Sequence, residues 1–231
     1  MTLFIDDATL GASTSSSISA FNRAIHLIAR AAPGYWAETA LKAILKDSHL
    51  SNLDLSNEDF SNLILTGADF SGANLTDVNL TRSNLEEANL NGANLNGANL
   101  TDAELSFTDI TGVRSGDITV NGIHPSLPRD STLTNGYLVG PSANLADANL
   151  VGLDLSGRNL TRTTLSGANL TNANLNGANL SRASLFSANM IGADLTNANV
   201  NGMMVTGAIW GNTICPDGTN SNDPGNATCG L

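Results

Sequence analysis

Apolar residues recur at every fifth position along most of this chain. Each fifth residue from Leu50 to Ile110 is apolar, and the same spacing returns from Leu145 to Trp210. An α-helix has a period of 3.6 residues and a strand a period of two, so neither produces this pattern. A short fixed period repeated many times is typical of a solenoid.

Each unit of five residues combines a short strand with a turn. Two residues before the apolar position lies a small residue in most units, as at Ala93 and Ala98, so the two positions share an inward face. Polar turn formers such as Asn-Gly, Ser-Gly and Thr-Asp follow. One unit then makes one side and one corner, and four sides close a coil that advances by ~4.8 Å per circuit. The predicted interior ladder includes Leu75, Leu80, Leu85, Leu90, Leu95, Leu100, Leu165, Leu170, Leu175 and Leu180.

The run SGANLTDVNLTRSNLEEANLNGANLNGANLTDAEL resembles the A(D/N)LXX consensus of the pentapeptide-repeat family. The resemblance extends over residues 48–210. It implies an all-β solenoid, a right-handed quadrilateral β-helix with the Leu and Ala positions packed inside.

Residues 1–47 follow a helical pattern instead. One helical face is predicted from the spacing of Ile18, Phe21, Ile25 and Ile28, and Pro33-Gly34 ends that helix. A second short helix is predicted from Trp36 to Ile44. Because an open solenoid end exposes unpaired backbone groups, we expect these residues to form an N-terminal α-helical cap on the first coil.

The repeat pattern is interrupted in the middle of the chain. Pro125 and Pro128 break it, and we interpret residues 121–142 as an excursion loop. Glu58 and Arg158 occupy positions where a small residue is expected to face inward, and a charge is costly there unless it is paired. We expect Glu58 to contact the cap, and a widened coil or a loop carboxylate such as Asp130 to accommodate Arg158.

Residues 211–231 are rich in Gly, Pro, Asp and Asn and are predicted to form a loop. Its cysteines, Cys215 and Cys229, either form a disulfide or remain free thiols. We favour the disulfide, because closing a loop of this size contributes ~3 kcal/mol and no other feature would hold the tail. Oxygen donors in this loop only loosely resemble a calcium site, and neither a metal nor a cofactor is predicted; the donors are Asp217, Asn220, Asn222 and Asp223.

Net charge, apolar runs and cysteines limit the classes of partner and the compartment that the sequence favours. The formal charge of −11 disfavours a nucleic-acid partner and permits a basic protein. No apolar run is long enough to span a membrane, and no targeting segment is recognised in the chain as given. The disulfide would place the protein in an oxidising compartment such as the periplasm or thylakoid lumen, with the cytoplasm as the alternative. We expect a monomer or weak dimer.

No catalytic motif surrounds the histidines His26, His49 and His124, so we do not expect an enzyme. The preferred hypothesis is a non-catalytic structural or protein-interaction scaffold. The alternative, implied by the family resemblance, is an acidic DNA mimic that binds a topoisomerase such as DNA gyrase. Residues 50–110 carry ten acids and one base, a net charge of −9, whereas three acids balance three arginines in residues 143–210. Against the alternative, gyrase-binding members of the family would be joined through a C-terminal helix, which is not predicted here.

Overall fold

The computed structural model describes residue 45, residues 47–223 and residues 228–231. The predicted helical cap lies outside these described residues. The chain divides into two compact units, residues 1–129 and residues 130–231, which we name unit 1 and unit 2. The boundary between them lies within the segment that the sequence predicted as a loop.

Unit 1 is a four-sided coil. Parallel bridges connect residues twenty positions apart, as between Asp54 and Asn74 and between Asn74 and Asn94. Twenty residues correspond to four units of five, so each unit forms one side. The Leu55 amide donates to the Asn74 carbonyl and the Asn74 amide donates to the Leu53 carbonyl, both at 2.8 Å. These backbone hydrogen bonds hold neighbouring coils together.

The corners explain the polar residues of each repeat. At the corner after Leu65, the Ala68 amide donates to the Leu65 carbonyl at 3.0 Å, and Gly67 adopts a φ of 69°. A turn with a left-handed second central residue favours Gly, Asn or Asp at that position. This preference accounts for the Asn-Gly and Ser-Gly pairs that follow the interior leucines.

The interior of each unit is filled by its own side chains. The ten leucines of the predicted ladder are all buried, with no more than 1% of any of them exposed. The small residues two positions earlier, such as Ala93 and Ala173, are buried as well. In unit 1 the rings of Phe60 and Phe70 contact each other with their centroids 6.1 Å apart.

The predicted loop at residues 121–142 is partly regular, so that prediction was wrong in extent. Ser126 pairs in parallel with Glu104, and its amide donates to the Ala103 carbonyl at 2.9 Å. Pro125 is buried at the inward position before Ser126. Pro125, Ser126 and Leu127 therefore form one side of the coil. This side follows the Glu104 side by twenty-two residues instead of twenty, so the five-residue period does not reveal it.

Unit 2 begins with a β-hairpin inside the same predicted loop. Strand β1 (Thr132–Thr134) pairs antiparallel with strand β2 (Tyr137–Val139), and Thr134 lies opposite Tyr137. The turn residues Asn135 and Gly136 have φ angles of 48° and 77°, which is the conformation that Asn-Gly favours in a two-residue hairpin. Val139 is buried in the core of unit 2.

Coils follow the hairpin in unit 2 and extend further than predicted. Parallel bridges run from the pair Asn144–Thr164 to the pair Asp194–Ile214. The predicted C-terminal loop at 211–231 therefore starts too early, because Thr213 and Cys215 are buried at the small and apolar positions of one more repeat. Cys215 lies five residues after Trp210 and keeps the phase of the pattern.

A disulfide holds the tail of unit 2. Cys215 and Cys229 are bonded, with their Cα atoms 5.2 Å apart. Between them the chain turns back, so that Asn220 pairs antiparallel with Ile214. The Ser221 amide donates to the Thr213 carbonyl at 2.9 Å. This backbone pairing covers one side of the last coil.

Candidate interaction site

The surface of unit 1 is strongly acidic at one corner. Glu86 and Glu87 form the corner of one coil, and Ser106 and Phe107 form the corresponding corner of the next. The Glu87 amide donates to the Ser106 carbonyl at 3.2 Å, which places the two corners side by side. Asp109 lies on the strand that leaves this corner. We name the set Glu86, Glu87, Glu104, Phe107 and Asp109 the Phe107 corner.

Phe107 is the unusual member of this set. It is 78% exposed, the highest value among the large hydrophobic side chains of the described residues. It also has a φ of 61°, in the left-handed region that bulky residues rarely adopt. The same left-handed φ occurs at this corner position in most coils, where the residue is usually Gly, Asn or Asp, as at Gly92 and Asp102. The fold provides no packing reason for a Phe at this position.

The backbone around Phe107 is nevertheless well held. The Thr108 amide donates to the Leu105 carbonyl at 3.1 Å and closes the turn. The buried Thr108 hydroxyl donates to the Leu85 carbonyl of the preceding coil at 2.8 Å. The exposed ring is therefore carried on a hydrogen-bonded corner.

Glu104 contributes a stable negative charge beside this corner. A hydrogen bond from the Ser106 hydroxyl is the main cause that lowers the pKa of Glu104 below its ordinary value of 4.5. The Ser106 amide also donates to Glu104 Oε1 at 2.8 Å, and Ser126 adds a further hydrogen bond, while partial desolvation acts in the opposite direction. Because the pKa is lowered, Glu104 is ionised at neutral pH.

Glu58 and Arg158, the two charged residues predicted to face inward, are not part of the Phe107 corner. Arg158 is exposed, so its predicted inward orientation is wrong. Its backbone keeps its place in the coil, since the Asn179 amide donates to its carbonyl at 2.9 Å, but a long side chain can carry its charge to solvent. Among the described residues it forms no ion pair with Asp130. Glu58 is half-buried; its predicted partner, the cap, lies outside the described residues.

The other candidates from the sequence do not converge on a site. His49 and His124 are exposed in unit 1, whereas His26 lies outside the described residues. Within the described part of the chain, no group of three or more His, Cys, Asp or Glu residues could hold a metal ion. The described residues also contain no helix with the length and apolar character needed to cross a membrane.

The oxygen donors of the C-terminal loop are used within the loop. Asp217 accepts hydrogen bonds from the Thr219 hydroxyl and amide, at 2.6 and 3.0 Å. Asn220 Oδ1 accepts from the Asn222 amide at 2.9 Å, and Asp223 accepts from the Asn220 amide at 3.0 Å. These side chains stabilise turns, and their contacts give no support to a calcium site.

The Phe107 corner was not predicted from the sequence, because acids were counted along the chain and residues twenty positions apart were not compared. A signal was nevertheless present. Position 107 is the second residue after Leu105, where most other repeats have Gly, Asn, Asp or another polar residue. An aromatic residue at a left-handed corner position departs from the pattern and marks a candidate surface.

Comparison with known proteins agrees with the coil geometry. The family model for pentapeptide repeats matches in 8 copies, over residues 43–82, 79–114, 142–175 and 164–202. None of the curated proteins matches the chain.

Several solved structures of low identity are also similar to the chain. HetL from the cyanobacterium Nostoc sp. strain PCC 7120, described as involved in regulation of heterocyst differentiation, is 22% identical; the match covers 79% of this chain and 95% of HetL, with a TM-score of 0.37. A trypsin-treated form of QnrB1, a plasmid-mediated fluoroquinolone resistance protein, is 21% identical over 71% of this chain and 83% of its own, also with a TM-score of 0.37. A pentapeptide repeat protein from the Arabidopsis thaliana thylakoid lumen is 22% identical over 64% of this chain and 69% of its own, with a TM-score of 0.16.

The family match and the four-sided coils agree with the pentapeptide-repeat β-helix that the sequence predicted. The family match covers more than half of the residues, and twenty-residue circuits are present in both units. The chain is a member of the pentapeptide-repeat family.

Proposed function

We propose that this protein is a non-catalytic protein-interaction scaffold and that the Phe107 corner of unit 1 is its binding surface. The observation that carries the proposal is the 78% exposure of Phe107 on a hydrogen-bonded corner. Aromatic residues are enriched among the side chains that contribute most to protein–protein binding. An exposed Phe held in a conformation that is unfavourable for Phe fits such a role.

The packed interior supports a function on the surface. The leucine and alanine layers fill each unit, and Leu95 and Leu170 are both 0% exposed. A substrate would therefore have to be bound on an outer face. Outer faces of a solenoid present rows of side chains at regular spacing, which suits recognition of another macromolecule.

The chemistry of the corner indicates the kind of partner. Phe107 is accompanied by carboxylates on the adjoining coil and on the strands beside it, at Glu87, Glu104 and Asp109. We infer a protein that offers an apolar pocket for the ring within a rim of Lys and Arg. Charges at the rim would raise the association rate, and the buried ring would supply most of the affinity.

The test compares two phenylalanine variants of the full chain. Proteins that co-purify from its own host with the wild type are quantified against those captured by Phe107→Ala and by Phe186→Ala. Phe186 is the matched control, because it is 43% exposed on a corner of unit 2. Loss of a hot-spot aromatic costs about 2 kcal/mol or more, roughly a 30-fold loss of affinity, so we expect a basic protein to be lost only with Phe107→Ala. Equal capture by all three proteins would exclude the Phe107 corner as the binding surface.

A second candidate function is the acidic DNA mimic that binds a topoisomerase such as DNA gyrase. It is favoured by the net charge of −9 over residues 50–110, from ten acids and one base. If it holds, the wild type inhibits supercoiling by gyrase, and the double variant Glu86→Gln/Glu87→Gln inhibits more weakly. Unchanged supercoiling at a large excess of the protein would remove this candidate.

We also propose that the protein works in an oxidising compartment, such as the periplasm or the thylakoid lumen. The support is the bond between Cys215 and Cys229 at the end of unit 2. Structural disulfides persist in oxidising compartments and are rare in the cytosol. This proposal opposes the second candidate function, because a gyrase-binding member of the family would be expected in the cytosol, where thiols are kept reduced.

A further inference from the structure

A polar groove lies on one corner of unit 2, on a different unit from the Phe107 corner. Its volume is about 560 Å³. The lining consists of Pro141, Ser142, Asn159, Thr161, Arg162, Ser181, Arg182, Asn199 and Asn201. Apart from Pro141, every lining side chain is polar or positively charged.

Two exposed arginines lie on this corner. Arg162 and Arg182 hold the same position in successive coils, with φ angles of 58° and 59°. Their amides donate to the carbonyls of Ser181 and Asn201 at 3.0 and 2.9 Å, so the two coils are stacked at this point. Adjacent strands lie about 4.8 Å apart, which brings two cations close together on the surface. Such an arrangement is stabilised when an anion lies between them.

Unit 2 does not supply that anion at the groove. The three aspartates among the described residues 143–210 are Asp147, Asp154 and Asp194, and none of them lines the groove. Ser142 and Gly202 hold this corner in the coils on either side of the arginines. These small residues leave the guanidinium groups open to a ligand.

Unit 1 shows how an arginine at this position is otherwise neutralised. Arg82 has the same place in its repeat and a φ of 56°. The next coil carries Asp102 at that corner, and Arg82 Nε lies 3.6 Å from Asp102 Oδ2. In unit 2 the corresponding neighbour of Arg162 is Arg182. Arg82 therefore has a carboxylate beside it in the next coil, whereas Arg162 has another arginine there.

The remaining lining residues determine which anion fits. The Thr161 hydroxyl donates to Asn159 Oδ1 at 2.7 Å, and Asn199 Nδ2 donates to Asn179 Oδ1 at 3.1 Å. The Thr161 hydroxyl oxygen can still accept a hydrogen bond and Asn199 Nδ2 has a second hydrogen to donate, so both groups can bond a sugar hydroxyl. Guanidinium groups bind the oxygens of phosphate and sulfate through paired hydrogen bonds. The groove contains no aromatic side chain on which a nucleobase could stack.

From these observations we infer that the groove binds a sugar carrying a phosphate or sulfate group. Arg162 and Arg182 hold the anionic group, and the amide and hydroxyl side chains hold the sugar. The inference is independent of the proposed protein-binding function, because the residues that it uses belong to unit 2.

Calorimetric titration of the full chain tests the inference, with glucose 6-phosphate and glucose 6-sulfate as probes. We expect at least one probe to bind, and the Arg162→Gln/Arg182→Gln variant to bind it at least tenfold more weakly. The tighter of the two probes identifies the anionic group. Arg82→Gln is the matched control and should bind like the wild type. Glucose without the anionic group should bind at least tenfold more weakly than the preferred probe.

Amide chemical shifts provide a second measurement that locates the ligand. Addition of the preferred probe should move the amide signals of Thr161, Ser181 and Asn201 most strongly. The inference is overturned if neither probe binds at millimolar concentration, or if the double arginine variant binds as tightly as the wild type. Shifts confined to unit 1 would also overturn it. Thermal melts of the variants that match the wild type show that the substitutions leave the fold intact.

Discussion

Replacing Leu95 with Asp is expected to unfold unit 1. Leu95 is 0% exposed, and its amide donates to the Arg114 carbonyl of the next coil at 2.8 Å. Burying an unpaired carboxylate costs several kcal/mol, and removing a packed Leu costs about 2–5 kcal/mol more. The sum approaches the 5–15 kcal/mol that typically stabilises a whole domain. Each coil contacts only its neighbours, so no distant contact can compensate.

The measurement is chemical denaturation of the full chain, followed by circular dichroism. Asn91→Asp is the matched control, because it adds the same charge to unit 1 at an exposed corner position. We expect Leu95→Asp to lose folded signal at a much lower denaturant concentration than the wild type and Asn91→Asp to unfold at the wild-type concentration. If the two variants unfold at the same denaturant concentration, the assignment of inward positions is wrong.

Reduction of the disulfide is expected to release the C-terminal tail of unit 2. Cys215 and Cys229 close a loop with a sequence separation of 14. In the chain-entropy model such a closure contributes ~3 kcal/mol, which corresponds to roughly a 150-fold change in an equilibrium constant. The antiparallel pairing of Asn220 with Ile214 lies next to the loop that the disulfide closes, and we expect that closure to stabilise it.

Hydrogen exchange of the backbone amides measures this effect. In the reduced protein, the amides of Cys215 and Ser221 should exchange about a hundredfold faster, in line with the loss of ~3 kcal/mol. These amides donate to Thr219 and Thr213 in the oxidised protein. The Leu165 and Leu170 amides deeper in unit 2 serve as the internal control and should be unaffected. Unchanged exchange at Cys215 would show that the tail is held by other contacts.

The regular part of the fold could be predicted because every fifth residue of the repeats packs in the interior and must be apolar. Inward positions such as Leu95 and Ala98 require apolar or small side chains, and corners require residues that tolerate positive φ, so one period carries both requirements. This redundancy explains why the four-sided coil and the ladder could be predicted from a single sequence.

The irregular parts could not be predicted at strict spacing. Two additional residues before Ser126 shift the five-residue period of the apolar positions. Pro125 and Leu127 nevertheless flank Ser126, which pairs with Glu104 of the preceding coil. The hairpin was missed although Asn135-Gly136 is a strong turn signal, because the neighbouring prolines favoured a loop. Arg158 was assigned inward because position in the repeat sets the direction of Cβ, whereas a long side chain can still reach solvent.

The candidate sites depend on neighbours around the coil, which the linear sequence does not show directly. Phe107 and Glu87 are twenty residues apart and lie at one corner, as do Arg162 and Arg182. Once the twenty-residue circuit is known, such neighbours can be found by comparing each residue with the one twenty positions away. That comparison distinguishes the pair Arg82–Asp102 from the pair Arg162–Arg182.

Photo-cross-linking from position 107 tests the central claim most directly. A photoreactive phenylalanine analogue replaces Phe107 in the full chain, and a second protein carries it at Phe186, both exposed positions. After irradiation in the host, we predict one predominant cross-linked protein with a basic surface from position 107 and none of comparable yield from position 186. If position 107 yields no more product than position 186, the Phe107 corner is not the surface through which this protein binds a partner.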